Sequence, residues 1–326
     1  MASNIQTSGA AQGNAAQGNQ SNTVQNKATG ASAVELIQYQ RKVIQMRSTP
    51  YMNYPAHVHL ETLALCPAAC SFCPYPSLER QGAKMSDELL DKVLTELTEI
   101  PQSVPFQLSP FKVNEPFLDT RLFDILNRIN RDLPHASITL TSNSTPITPE
   151  KLEALQQVKN MEYLWISTND YRPAEYEATM KLKWSRTIER LTMIHEAMVQ
   201  GKLPFRVVLS RVGDGTVEDQ NFTQWVKDSF PLFSSHVFQR GGWIGQVDVD
   251  LYAPVPNVGC ARWFDLSITA TGTVAHCCMD GQAKWPIGDV NTQHILEVYN
   301  HPEYRKLRES TLSRQQVEPC NTCTFL

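Results

Sequence analysis

The sequence predicts an α/β fold: a partial (β/α)6 TIM-like barrel followed by a small cysteine-rich α+β domain. Three observations carry that expectation. From His57 onward, short β-type runs alternate with amphipathic helical stretches about six times. Around Pro254–Gly259 the alternation gives way to a proline- and glycine-containing linker. The eight cysteines form two groups, three at positions 66, 70 and 73 and five between 260 and 323, with none in the 186 residues between them.

Residues 1–32 are mostly Gln, Asn, Ala, Gly, Ser and Thr. Such a tract buries too little apolar surface to offset its ordering entropy, so a disordered tail is expected. Residues 33–56 are expected to form an N-terminal helix, from Val34 to about Met46, and a lead-in. The barrel is assigned to residues 57–250, beginning with a strand from His57 to Leu65 that runs into the first cysteines. Ser86 opens a helix to Ile100 on which Leu89, Leu90, Val93, Leu94 and Leu97 share one face. Strands at Phe106–Leu108, Ser137–Thr141, Tyr163–Ser167, Phe205–Ser210 and Val237–Gln239 alternate with helices near Arg121–Arg131, from Thr148 to Val158, through Met198, and over Glu218–Phe230. Proline at the first position suits the Thr148 helix, because its missing N–H would have no partner there. Six such units are too few for a closed eight-fold barrel. In barrels of this kind the chemistry sits at the C-terminal strand ends.

Residues 251–326 form the expected second domain. Phe264–Ile268 and Thr273–His276 flank Thr271-Gly272 as a hairpin, and a helix spans His294 to Leu312. So small a domain makes a weak core unaided, and a bound metal centre would staple it.

The formal charge of −4 leaves no footprint for nucleic acid or an anionic membrane. No stretch is long and apolar enough to span a bilayer, and no secretory signal opens the chain; the expected location is cytoplasmic. Clustered cysteines in a reducing compartment point to metal rather than disulfides.

Cys66, Cys70 and Cys73 lie within eight residues. Three thiolates satisfy three irons of a [4Fe–4S] cluster and leave the fourth open to a substrate or cofactor. A structural zinc site fits poorly, since no fourth cysteine or histidine lies nearby. The second group reads Cys260-x11-Gly272-x4-Cys277, then Cys320-x2-Cys323. By spacing alone these four suit either a fully ligated [4Fe–4S] cluster or structural zinc.

The Cys66-x3-Cys70-x2-Cys73 run, with Phe72 before its last cysteine, resembles the signature of the radical S-adenosylmethionine (SAM) superfamily. Residues 260–323 resemble that superfamily's SPASM and twitch domains, the shorter twitch form more closely, and the resemblance spans roughly residues 50–326. In outline the chain is similar to enzymes such as 2-deoxy-scyllo-inosamine dehydrogenase and neomycin C epimerase. The resemblance implies a SAM-binding cluster on Cys66, Cys70 and Cys73 and an auxiliary [4Fe–4S] cluster on Cys260, Cys277, Cys320 and Cys323. It also implies contacts to S-adenosylmethionine from Glu115, Ser142, Asn143, Ser167 and Asn169. Glu115 would accept the methionine ammonium, although Asn114-Glu115-Pro116 lacks the two glycines of the family motif.

Cys278 is left over; it is either a small buried thiol, an alternative ligand beside Cys277, or a hydrogen-atom donor that quenches a substrate radical. Asp280 is a candidate base, and Arg211, Arg240 and Trp243 are candidate substrate contacts. The reaction implied is hydrogen abstraction from a polar small molecule such as a sugar, aminocyclitol or nucleoside, ending in oxidation or epimerisation. An external one-electron donor such as flavodoxin or ferredoxin would supply the cluster. A peptide-modifying maturase is the alternative enzyme class, disfavoured because only about 33 residues separate the tail from Cys66. A non-catalytic iron–sulfur carrier is the alternative outside catalysis, disfavoured by Glu115 and the open iron.

Overall fold

The computed structural model describes residues 31–239, 241–248 and 254–325. Strands β1 (His57–Leu60), β2 (Phe106–Ser109), β3 (Ala136–Ser142), β4 (Met161–Ser167), β5 (Arg206–Gly213) and β6 (Ser234–Gln239) pair in parallel and in sequence order. The sheet continues past β1. Strand β7 (Asp265–Ile268) joins it in parallel, and β8 (Thr273–Ala275) and β9 (Pro286–Asp289) extend it antiparallel, in the order β6-β5-β4-β3-β2-β1-β7-β8-β9. The cysteine-rich segment thus shares the barrel's sheet, with His57 opposite Asp265 and Leu60 opposite Ile268.

The two-residue side-chain period of a strand sorts this sheet into two faces. Val58, Leu60, Leu108, Ile138, Leu140, Leu164, Ile166, Leu209, Leu266 and Ile268 belong to the main hydrophobic core. Each such buried aliphatic side chain is worth about 1.5–3 kcal/mol. Their neighbours on the other face (His57, His59, Gln107, Ser109, Ser137, Thr139, Thr141, Trp165, Ser167, Ser210, His236 and Asp265) line an internal cavity. The strands are therefore aliphatic outward and mixed polar and aromatic inward, with Tyr163, Trp165 and Phe238 among the inward side chains, so the lumen is a binding space and not a packed core.

Helix α1 (Ala33–Met46) precedes the barrel, and α2 (Asp87–Leu97), α3 (Leu122–Asp132) and α4 (Pro149–Gln156) follow the first three strands. Ser86 caps α2 by accepting from the Leu89 amide, and Leu90, Val93, Leu94 and Leu97 are buried as their spacing predicts. The long helix expected after β4 is two helices, α5 (Pro173–Met180) and α6 (Trp184–Val199), because Lys181 adopts a left-handed conformation at φ 58° and ends the first. Helix α7 (Val217–Ser229) links β5 to β6. The expected His294–Leu312 helix is also divided, into α8 (Ile295–Tyr299) and α9 (Pro302–Ser310), since Pro302 begins a new helix. The first strand ends at Leu60, and the chain from there to Cys66 is loop. No helix among the described residues is long and apolar enough to cross a membrane.

Candidate active site and cysteine centres

The loop beyond β1 brings Cys66, Cys70 and Cys73 to the wall of the lumen, a cavity of about 920 Å³. The loop is pinned to the end of α5, with the Ala69 amide donating to the Met180 carbonyl at 3.3 Å and the Ser71 amide to the Thr179 carbonyl at 3.1 Å. Phe72 packs against Tyr176 and Met180, and its carbonyl accepts from the Trp243 indole at 2.9 Å. Burial, with the neighbouring Glu115 and Cys73 charges, pushes the Cys66 thiol up to about 12. A nearby cation, such as a metal centre provides, would favour the ionised form of a thiol so placed.

Glu115 lies in the loop after β2, where its amide donates to the Leu65 carbonyl at 2.8 Å. Its carboxylate is fully buried and accepts from the Ser142 hydroxyl at 2.9 Å and the Asn143 amide at 2.7 Å. Asn143 Nδ2 in turn reaches Cys66 Sγ at 3.8 Å. The structure thus brings Cys66, Glu115, Ser142 and Asn143 into one contiguous wall. Desolvation pushes Glu115 up to about 7 against the three hydrogen bonds that favour its charge. Nearby Asn114 Nδ2 is buried without a hydrogen-bond partner. A cationic group carrying its own acceptor would satisfy both.

Ser167 lines the lumen and accepts from Asn169 Nδ2 at 2.8 Å. Asn169, at φ 64°, also bonds the Val212 amide at 3.0 Å and the Met180 sulfur at 3.1 Å, while Met180 lies 3.5 Å from Cys70 Sγ. Trp243 lines the lumen. Two expectations need correction. Arg211 is not a lumen contact: its guanidinium is taken up by Asp170, Asp214 and Asp219 at 2.8–2.9 Å and by the Asn169 carbonyl at 2.7 Å, which ties the loops after β4 and β5 together. Asp280 is not a free base: its buried carboxylate accepts from Gln246 Nε2 at 2.7 Å and from the amides of His276, Lys284 and Trp285 at 2.9–3.4 Å, so it organises the Cys277–Trp285 turn. Arg240 lies outside the described residues.

The remaining cysteines divide cleanly. Cys260, Cys277, Cys320 and Cys323 line one small void together with Trp263, His276 and Arg314. Cys278 instead lines the lumen. No disulfide joins any of the eight. Burial, and then the Cys260 charge, pushes Cys320 up to about 12 and Cys323 up to about 11. Around these thiols stand cations and N–H donors. His276 Nε2 is 3.2 Å from Cys320 Sγ, and Arg314, fully buried, has the Cys260 and Cys323 thiols and Tyr39 as its charge partners and a buried Nε with no acceptor. Four thiols beside the His276 donor and a buried Arg314 whose Nε has no acceptor fit an anionic, all-cysteine metal centre.

Sequence reasoning overlooked the polar wall next to Cys278. His57 and His59 on β1 and Asp265 on β7 offer ligand atoms within 4.8 Å of one another. His57 bonds Ser109 at 2.7 Å, and Ser109 bonds Thr139. His59 Nε2 is buried without a hydrogen-bond partner, 3.6 Å from Asp265. Arg262 already pairs with Asp265 at 3.1 Å, so the trio faces a resident cation and suits a neutral hydroxyl-bearing ligand better than a metal ion. Burial holds both imidazoles well below the usual histidine range, so they are neutral. The available signal was the alternation His57-Val58-His59-Leu60, which points two histidines into the lumen from a strand otherwise apolar.

Two sequence-family profiles match the chain: the radical SAM superfamily over residues 60–222, and the SPASM iron–sulfur cluster-binding domain over residues 260–324. No curated protein sequence matches. Among solved structures, BtrN in complex with AdoMet and 2-DOIA is 15% identical, with a TM-score of 0.55, covering 82% of this chain and 92% of its own. Streptococcus suis SuiB bound to S-adenosylmethionine is 13% identical, with a TM-score of 0.55, covering 89% and 76%. Native anSMEcpe with bound AdoMet is 14% identical, with a TM-score of 0.57, covering 82% and 87%. At these identities the likeness is one of fold.

Proposed function

Because the chain belongs to the radical SAM superfamily and carries its SPASM iron–sulfur domain, we propose that it abstracts a hydrogen atom from a polyhydroxylated small molecule, such as a sugar, aminocyclitol or nucleoside, and yields its oxidised or epimerised product. When bound, the family's [4Fe–4S] cluster and S-adenosylmethionine supply a 5′-deoxyadenosyl radical as the hydrogen acceptor. The chain's own residues do the positioning. Cys66, Cys70 and Cys73 would hold the cluster, and Glu115 would receive the methionine ammonium. Ser142 and Asn143 keep the Glu115 carboxylate aimed, and Ser167 and Asn169 would contact the nucleoside end. The second cluster would sit on Cys260, Cys277, Cys320 and Cys323.

The observation that carries the substrate class is the lumen itself. Its inward strand positions combine hydroxyls (Ser109, Ser137, Thr139, Thr141, Ser167, Ser210), the His57, His59 and His236 imidazoles and an Asp265 paired with Arg262 with the aromatic faces of Tyr163, Trp165 and Phe238, a mixture that suits a polyol's hydroxyl edges and its C–H faces. Cys278 faces the same space, where its Sγ–H could return a hydrogen atom to the substrate carbon. The thiyl left behind would be reset by one electron from an external donor of the flavodoxin or ferredoxin class and one proton. That favours epimerisation, and the saturated Asp280 removes the base first considered for oxidation. A peptide maturase is the competing reading, since the SuiB fold is equally similar and SuiB also has a structure bound to precursor peptide SuiA.

The test is an anaerobic panel of sugars, aminocyclitols, nucleosides and short peptides with reconstituted full-length protein. Stimulation of 5′-deoxyadenosine formation by a polyol class, with deuterium from heavy water entering the product, is expected. Cys278→Ala should abolish that deuterium uptake. Stimulation by peptides alone, or unchanged uptake in the Cys278 variant, would reject the substrate class or the donor role respectively.

A further inference from the structure

Arg314 poses an electrostatic problem that an anionic four-cysteine centre would solve. The side chain is fully buried. Its outer nitrogens donate to backbone carbonyls, one to Gly259 at 2.8 Å and one to Phe325. Among the described residues no carboxylate is its charge partner; the groups facing it are the Cys260 and Cys323 thiols and Tyr39, whose ring lies 5.6 Å from the guanidinium carbon. Its Nε has no acceptor. Carbonyls and Tyr39 take up its hydrogen bonds but supply no ionised carboxylate, and a counter-charge in the adjoining void would offset the cost of burying the cation.

Neutral donors complete the shell. His276 Nε2 lies 3.2 Å from Cys320 Sγ. A metal-bound thiolate carries no proton, so in the loaded centre this contact must be Nε2–H donating to sulfur. Tyr39, on α1, approaches Cys260 Sγ at 3.9 Å while accepting from the Ala261 amide at 2.9 Å. Helix α1 is itself fastened there: Gln40 accepts from the Gly259 amide at 2.7 Å, and a Cβ at Gly259 would meet Val43 at 2.9 Å.

Building on the auxiliary-cluster reading, we propose that Arg314 is the built-in counter-cation of the auxiliary cluster and that, with His276 and Tyr39 as sulfur donors, it favours the cluster's reduced, more negatively charged state. Charge and hydrogen bonds at the sulfurs are the protein's main means of setting such potentials. A cluster tuned upward in this way is suited to receiving an electron.

The test uses full-length protein with Cys66, Cys70 and Cys73 replaced by alanine, reconstituted anaerobically, so that only the auxiliary cluster is titrated by potentiometric EPR. Arg314→Met is expected to make reduction at least tenfold harder, a shift of about 59 mV to more negative potential for one electron. Arg314→Lys should recover most of it. His276→Phe, which leaves the buried charge pair intact, should shift the potential in the same direction and covers the case in which Arg314→Met fails to fold. Potentials unmoved in a variant that retains its irons would overturn the proposal while leaving the cluster reading intact. Zinc in place of iron would overturn both.

Discussion

At the scale of single residues, Glu115 joins the loop that carries Cys66 to the end of β3, through the Leu65 carbonyl on one side and Ser142 and Asn143 on the other. Its carboxylate is buried and held by Ser142 and Asn143, yet desolvation keeps its proton on until about pH 7. The native-state pKa is raised above the unfolded value. Its contribution to stability is therefore fully present below the ordinary carboxylate range and is lost as the pH climbs through about 7. A bound ammonium reverses this preference by stabilising the ionised form. S-Adenosylmethionine affinity, measured calorimetrically on reconstituted protein, should rise roughly tenfold between about pH 5.5 and 7. It should turn over where an α-amino group, with a pKa of about 7.7–8.0, loses its proton. Glu115→Gln should weaken binding about 10- to 100-fold, the worth of a charge-assisted hydrogen bond, and flatten the acid limb. An unchanged acid limb in that variant would remove Glu115 from the ammonium site.

At the scale of elements, what the sequence could tell depended on how local each cause was. The cysteine spacings, the Ser86 and Thr148 caps and the Gly272 turn are short-range signals, and the structure has the corresponding loop, helices and hairpin. Arg211 and Asp280 were misjudged because position at a strand end or beside a cysteine is local, whereas their partners are brought in by folding. Asp170 and Asp219 arrive from other elements to claim Arg211, and Gln246 arrives to claim Asp280. Lys181 and Pro302 divided two helices whose apolar periodicity ran through the break. The hairpin offers a direct check. Gly272 sits at φ 88°, and a Cβ there would meet the Asn291 side-chain nitrogen at 2.2 Å. Gly272→Ala should destabilise the reconstituted protein by about 1–3 kcal/mol in denaturant titration. Gly82→Ala, at a similar φ of 78° but with no neighbouring atom within 4 Å, should cost no more than about 1–2 kcal/mol. Equal losses would mean that the Asn291 contact contributes nothing.

At the scale of the whole molecule, one sheet carries both cysteine centres. Pairing of β1 with β7 sets His57 and His59 beside Asp265, and so joins the strand that leads to Cys66 to the strand that leads to Cys277. Arg262, Met279 and Phe325 line both the lumen and the auxiliary void, so a single layer of side chains separates the two. Helix α1 touches both as well, with Tyr39 at the auxiliary thiols and Tyr39, Lys42 and Met46 on the lumen. The lumen, the wall of Cys66, Glu115, Ser142 and Asn143, and the four-cysteine void are therefore adjacent parts of one sheet-built unit. The most direct measurement of that account is 5′-deoxyadenosine formation by anaerobically reconstituted protein, given a one-electron reductant and S-adenosylmethionine. The account predicts about eight irons per chain and cleavage that is lost when Cys66, Cys70 and Cys73 are replaced by alanine. A fully loaded protein that releases no 5′-deoxyadenosine, or cleavage that survives loss of those three cysteines, would contradict it.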